Sequence, residues 1–410
     1  MNLNTQSFDV IEGGGATSAS GFEAAGVTCG LKRSGKADLA LLFSAAPCNA
    51  AGTFTSNLFP AAPVILCRER IEGGAGIRAI VVNSGVANAC TGELGMKYAR
   101  ETAKLAADAL GIDETQALSC STGRIGVQLP MDKIAAGIKA AAAAKKPDGG
   151  HEAALAIMTT DTRPKEACAT VTIGGKKVTV GGMSKGSGMI EPNMATMLGF
   201  LTTDAAVSPR MLKRALQLAV GRSFNRLVVD GDESTNDSLF ILASGKAGNR
   251  EIDAPGKDFD AFRAALEAVC VSLARQMATD GEGATKFVTV TVKGAKTERD
   301  AERAARAVAK SPLAKTSWFG KDPNWGRVLA AVGYSGAEVV DMKSEVFYDG
   351  VWAFRFGKVA DEKQLARLAK VMKKDAFSVV VDLHLGTAES TIYTCDLSLD
   401  YVHINADYTT

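Results

Sequence analysis

The alternation and spacing of apolar residues divide the chain into interleaved strands and helices. Arg78 to Ser84, with the apolar run Ala79 to Val82 inside it, reads as a buried strand ending in a turn. Ala169 to Ile173 and Lys177 to Val180 alternate apolar and polar residues across Gly174 and Gly175, which predicts a β-hairpin. Asp258 to Met277 puts Phe262, Leu266, Val269, Leu273 and Met277 on one side of a helix. Helical spacing also covers Gly95 to Leu110, Met131 to Lys146, and Ser208 to about Val220, where Ser208 can cap and Pro209 can take the first position. The PDGG run at 147–150 reads as a surface linker. Met197 to Leu201 and Lys286 to Val292 are expected strands, and Thr297 to Lys310 a helix opened by Thr297 and Asp300. From about residue 345 the pattern is that of a smaller α+β unit. Its parts are paired strands over Glu345 to Lys358 around Asp349 and Gly350, a helix over Asp361 to Lys373, and long strands from Ser378 to Asp396.

Composition narrows the classes of function. With 410 residues, 46% hydrophobic and 22% charged, the chain can build a large core or two domains. Lys plus Arg number 47 against 45 acidic residues, so a net charge of +2 gives no electrostatic case for nucleic acid or an anionic membrane. No basic region followed by an apolar core opens the chain, and no stretch stays apolar long enough to span a bilayer, so a cytoplasmic protein is expected. Eight cysteines stand singly without a CxxC pair, which suits reduced thiols and leaves a zinc ribbon unsupported. The three histidines are equally isolated, so a Ser-His-Asp relay or metal hydrolysis has few parts to draw on, and no metal is expected. His384 lies in SVVVDLHLG on the face shared with Asp382 and reads as a half-buried strand histidine rather than a ligand. The acidic run Asp230, Asp232, Glu233, Asn236, Asp237 invites an ion. EF-hand spacing would need a Glu further on, where Leu239 to Leu242 stand instead, so a polar loop near an active site is the better reading. Neither a Walker loop nor GxGxxG is present, FGKDPNWGR and SKGSGM included, so no cofactor is expected.

Positive chemistry concentrates between Met183 and Phe200, MSKGSGMIEPNMATMLGF. A Gly/Ser loop passes a rigid Pro192 and reaches Ala195 and Thr196. If the Thr196 hydroxyl attacks the Ala195 carbonyl, the peptide becomes an ester, and hydrolysis leaves Thr196 as a new N-terminus. Its α-amino group, titrating near ~7.7–8.0, can then take the hydroxyl proton without a histidine. On its own this wording is also that of an ordinary glycine-bearing turn. STGRIG at Ser121 offers a hydroxyl and an unhindered backbone N–H in a turn, either a plain Ser/Thr-Gly turn or a place to hold a developing oxyanion. Glu282, in ATDGEGATK after the long helix, is either a solvated loop carboxylate or a partner for a substrate amine.

The whole chain resembles the ornithine acetyltransferases, also called glutamate N-acetyltransferases, of arginine biosynthesis. The resemblance rests on GVTCGLKRSGKADLAL from Gly26, VVNSGVANACTG from Val81, STGRIG from Ser121, MTTDT from Met158, KGSGMIEPNMATML from Lys185, SFNRLVVDGDESTNDS from Ser223, ATDGEGATK from Ala278, SPLAKTSWFGKDPNWGR from Ser311 and YVHINADY from Tyr401. Val86, where a polar residue is expected, and Thr409 depart from the pattern. The resemblance implies an α/β, αββα-type layered sandwich with a smaller C-terminal domain. It implies cleavage between Ala195 and Thr196 into an α chain (1–195) and a β chain (196–410), associated as an α2β2 heterotetramer. Thr196 would be the nucleophile, Thr122 and Gly123 the oxyanion hole, and Thr159, Lys185, Thr196, Glu282, Asn405 and Thr410 the substrate contacts. The implied reaction moves acetyl from N2-acetyl-L-ornithine to L-glutamate, with acetyl-CoA a co-substrate only in bifunctional members. A self-processed amidase or aminopeptidase using water as acceptor is the alternative.

Overall fold

The computed structural model describes residues 8–191 and 197–407. Ala195, Thr196, Thr409 and Thr410 lie outside the described residues. Among those described, nine strands form the first sheet: β1 (Phe8–Val10), β2 (Phe22–Val27), β3 (Leu39–Phe54), β4 (Ile77–Val86), β5 (Ala117–Arg124), β6 (Lys165–Ile173), β7 (Lys176–Lys185), β8 (Leu198–Thr203) and β9 (Ser238–Ala243). The long β3 folds this sheet into two layers. Its first half pairs with β2 and β4 and its second half with β9, with a register break between Phe43 and Cys48. Pro47 sits in that break and has no N–H to give a ladder.

Helices cover both outer faces: α1 (Ala62–Gly73), α2 (Gly92–Leu110), α3 (Met131–Ala144), α5 (Pro209–Arg222) and α6 (Lys257–Thr279), while α4 (Gly150–Ile157) buries Ala153, Ala154, Ala156 and Ile157 in the core between the two β layers. The strands between them are buried on both sides, which explains their near-continuous apolar runs. On β4, Val81 faces Ala99, Ala103 and Ile134 of α2 and α3, while Ile80 and Val82 face Met183, Phe200 and Phe240 of the other layer. On that second layer Val180, Leu201 and Ile241 turn outward onto Leu216, Phe262 and Leu266 of α5 and α6. Four layers result, α, β, β, α, the arrangement expected from the sequence. Val86 packs into the α2/α3 core at 3% exposure, so an apolar residue suits that position.

The second sheet contains β10 (Phe287–Ala295), β11 (Glu345–Tyr348), β12 (Val351–Arg355), β13 (Lys358–Val359), β14 (Ala376–Asp382) and β15 (Ala388–Cys395), in the order β13-β12-β11-β14-β10-β15. It recruits β10, parallel to β14 and antiparallel to β15, from well before residue 345. Its helices are α7 (Glu298–Lys310), α8 (Pro312–Phe319), α9 (Trp325–Tyr334) and α10 (Glu362–Val371). Val288, Val290 and Val292 pack on Ala301, Ala304, Val308 and Trp318. The final helix, α11 (Leu399–Asp407), runs back toward the first sheet. Among the described residues no helix is long and apolar enough to cross a membrane.

Three local expectations are corrected. PDGG is not a surface linker: Gly149 and Gly150 are buried, and a Cβ on Gly149 would meet the Ala24 carbonyl oxygen at 1.9 Å. The turn between α3 and α4 is packed against β2, and small residues are there for close approach. STGRIG is not a turn at Thr122, because Thr122 and Gly123 end strand β5 beside Ser84 and Gly85 of β4. His384 lies beyond the end of β14 with φ of +51°, so it is not a strand residue.

Candidate active site

Strand ends from both layers meet at one pocket. β8 begins just after Met197, the residue that follows Thr196 in sequence. In the ladders Leu198 stands opposite Lys185 of β7 on one side and Ser238 of β9 on the other. Lys185 Nζ donates to Thr122 Oγ1 at 3.3 Å, which leaves the Thr122 hydroxyl proton free to point elsewhere. Gly123 has φ of +129°, and a Cβ there would come within 2.3 Å of the Gly85 carbonyl carbon, so only glycine brings these two strand ends together. Asn236 braces the same strand by donating from Nδ2 to the carbonyls of Ala87 at 2.6 Å and Ser121 at 2.8 Å.

The opposite wall rests on a buried ion triad. Lys165, fully buried, donates to Asp161 Oδ1 at 2.6 Å and Asp280 Oδ2 at 2.5 Å. Asp161 also accepts the N–H groups of Thr159 at 3.0 Å and Gly186 at 2.7 Å, and Asp280 accepts that of Thr162 at 3.1 Å. Three segments distant in sequence are thereby fixed around the pocket. Burial would raise the Asp161 pKa, but Lys165, Lys185 and the donated hydrogen bonds outweigh it and hold the carboxyl at about 2. Glu282 docks by donating its N–H to the Ser187 carbonyl at 2.7 Å, and its Oε2 accepts from Asn405 Nδ2 at 2.8 Å. A Cβ on Gly188 would meet that carboxylate at 2.3 Å, so glycine opens the space Glu282 fills.

Within the acidic run of 230–237, Asp230 is occupied with its own chain. Asp230 accepts the N–H groups of Met189 at 2.6 Å, Ile190 at 2.8 Å and Asp232 at 3.2 Å, and burial pushes its pKa up. Glu191 is gripped by Lys310 at 2.5 Å and Arg306 at 3.6 Å, both from α7. Away from the pocket, Glu345, Asp382 and His384 converge at the second sheet. Their carboxylates also bind Arg355 and Lys293, so the group is an ion-pair network.

Thr122, Gly123, Thr159, Lys185, Glu282 and Asn405, singled out from four separate motifs and the C-terminal segment, all line this one pocket together with Met197. Thr196, Ala195 and Thr410 lie outside the described residues. The cavity, about 100 Å³, is smaller than the ~300–1,000 Å³ usual for drug-sized ligands and is lined mainly by polar groups. Sequence reasoning missed the Asp161, Lys165, Asp280 triad, Gly188 and the bracing role of Asn236. Asp161 and Lys165 stand four residues apart, so their charges were visible in the sequence, but Asp280 comes from 115 residues beyond Lys165.

A model of the ArgJ family matches residues 23–410. The chain is 53% identical to the arginine biosynthesis bifunctional protein ArgJ of Symbiobacterium thermophilum, over 97% of this chain and 99% of that protein. It is 46% identical to the glutamate N-acetyltransferase of Methanocaldococcus jannaschii, over 97% and 99% respectively. The solved chain of the Bacillus halodurans arginine biosynthesis bifunctional protein argJ matches with 38% identity and a TM-score of 0.50, covering 52% of this chain and 100% of that one.

Proposed function

This chain belongs to the ArgJ family and is an acyltransferase of arginine biosynthesis, and from that premise we propose that it moves acetyl from N2-acetyl-L-ornithine to L-glutamate through an ester on Thr196. The chain first cuts itself between Ala195 and Thr196 into residues 1–195 and 196–410. Thr196 Oγ then attacks the acetyl carbonyl, its proton passes through the new α-amino group to the departing ornithine nitrogen, and the C–N bond breaks. Glutamate enters the same pocket, its amine attacks the ester, and the C–Oγ bond breaks as Oγ regains a proton. Thr122 and the Gly123 N–H hold the oxyanion in both steps. Lys185 has N–H groups to spare for a substrate carboxylate, and the second Glu282 oxygen suits a substrate ammonium.

The observation that carries this reading is the convergence of Thr122, Gly123, Lys185, Glu282 and Asn405 on the start of β8, directly after Thr196. Holding glutamate in line can supply several kcal/mol by positioning, which favours transfer over hydrolysis. The B. halodurans match adds support, because a whole solved chain there corresponds to about half of this one. The two fragments stay together and pair as α2β2.

Intact mass under denaturing conditions tests the cleavage: fragments starting at Met1 and Thr196 are expected, and a single uncut chain for Thr196→Ala. Mixing N2-acetylornithine with glutamate should give N-acetylglutamate; release of acetate instead would establish the amidase alternative. Native mass tests the tetramer.

A wider groove of about 520 Å³ adjoins the pocket through Thr159 and carries Lys32, Arg33 and Arg124 against Asp407. That excess of cations suits a phosphate-bearing donor, so acetyl-CoA is a second acetyl source in this reading. Arg124→Ala should then raise KM for acetyl-CoA more than KM for N2-acetylornithine.

A further inference from the structure

We propose that Asp237 is the proton carrier for the chain's own cleavage, an inference that rests on the self-cleavage reading above. The need for such a group comes from timing. Once cleavage is complete, the Thr196 amino group can accept the hydroxyl proton. Before it, that nitrogen is an amide and has no basicity to offer. Another group must take the proton from Oγ and supply one to the departing nitrogen.

Asp237 stands where that group is required. The β8 and β9 register sets Leu198 opposite Ser238, so Asp237 falls opposite Met197, one residue past the bond to be cut. Its carboxyl accepts from the Ser234 hydroxyl and from the Met197 N–H. The residue lines the pocket at 3% exposure, and its Oδ2 has no hydrogen-bond partner among the described residues. An orphaned buried oxygen costs about 1–3 kcal/mol, so a fold that keeps one calls for a reason. The charged groups bearing on it are Lys185 from β7 and Glu233 from its own loop. Burial outweighs the Lys185 attraction and pushes the carboxyl well above its usual range, which favours the protonated form that the step uses.

The step balances. Thr196 Oγ bonds to the Ala195 carbonyl carbon and its proton moves to one carboxyl oxygen of Asp237. The proton already on Asp237 moves to the Thr196 nitrogen as the C–N bond breaks. The carboxyl ends as it began, and the product is an ester beside a free amine. Water then cleaves the C–Oγ bond, leaving the Ala195 carboxylate and restoring the Thr196 hydroxyl.

Asp237→Asn keeps the size of the side chain and an acceptor for the Met197 N–H, and removes the transferable proton. By intact mass, cleavage should slow at least ~100-fold while the unfolding midpoint stays near that of the uncut Thr196→Ala chain. Hydroxylamine, which cuts esters, should release no fragment from it. Cleavage at the wild-type rate, or an ester trapped by hydroxylamine, overturns the proposal and leaves the Thr196 reading standing. An uncut wild-type chain would remove that reading instead. Should the Asn variant fail to fold, wild-type precursor from cell-free synthesis carries the test. Cleavage that slows as pH rises through ionisation of the buried carboxyl supports the proposal, and cleavage that keeps accelerating overturns it.

Discussion

The two sheets handle charge differently. At the pocket end of the first sheet, Lys165, Asp161 and Asp280 are 0–3% exposed at their side chains and spend their hydrogen bonds on backbone N–H groups of remote segments. In the second sheet, the partners of Glu345, Arg355 and His384, lie at the rim with 51% and 39% exposure, over a core of valine, alanine and one buried tryptophan. Lys315 is an exception there, buried on the Thr394 hydroxyl and the Cys395 carbonyl. Burying ions costs several kcal/mol each and is tolerated where excellent geometry and further hydrogen bonds offset it. The pocket needs loops held in fixed positions without strand ladders, and buried ions do that. The second unit closes through strand pairing and side-chain packing, so although Glu345 and Asp382 are themselves buried, the cations that pair with them can stay at the wet rim. Its contribution to the site is mechanical: α7 grips Glu191, and α11 presents Asn405 to Glu282.

Four measurements would break or sharpen this contrast. The largest effect is expected from Lys165→Met in the uncut Thr196→Ala background, which leaves two carboxylates buried without their cation. Denaturant unfolding should show a loss of about 3–5 kcal/mol, and a loss under 1 kcal/mol would mean the triad is not what holds the wall. Gly123→Ala comes next, because the added methyl presses on Gly85 at an unfavourable φ and moves the proposed oxyanion donor. Steady-state kinetics on the cleaved enzyme should give a kcat about 10²–10³-fold lower with the fold intact. Acid is the third probe. The Asp161 carboxyl is held at about 2, below its ordinary 3.8, so its stabilisation is complete above about pH 4 and disappears as pH falls toward 2. Thermal melts across that window should lose on the order of 2 kcal/mol more in wild type than in Asp161→Asn. The smallest effect belongs to Arg355→Ala at the rim of the second sheet. Its half-exposed pair with Glu345 should be worth less than ~1 kcal/mol by unfolding, with cleavage and transfer unchanged. A larger loss would erase the distinction between the two units.

Elements with a regular apolar period were legible in the sequence. The hairpin of β6 and β7, the caps Ser208 and Thr297, and the buried stripe of α6 are each decided by residues close together in the chain. Five helices escaped, α1, α4, α8, α9 and α11, and two of them did so for opposite reasons. In α1 the buried residues are bunched at Ala62 to Cys67, so no stripe repeats, while α11 has no buried residue and therefore no stripe at all. The turn at 147–150 looked like a linker because glycines chosen for tight packing read the same as glycines chosen for freedom.

The sequence alone determined the alternation of elements, the family wording and the candidate residues at the pocket, because side-chain type and local spacing suffice for these. Only the tertiary structure decided that β3 bends one sheet into two layers, that Lys165 joins Asp161 to Asp280, and that Asp237 keeps beside Met197 an oxygen with no partner among the described residues. Those facts depend on which distant segments exclude water from one another. Burial, and with it the charge a carboxyl can carry, is a property of neighbours in space that no local pattern of residues records.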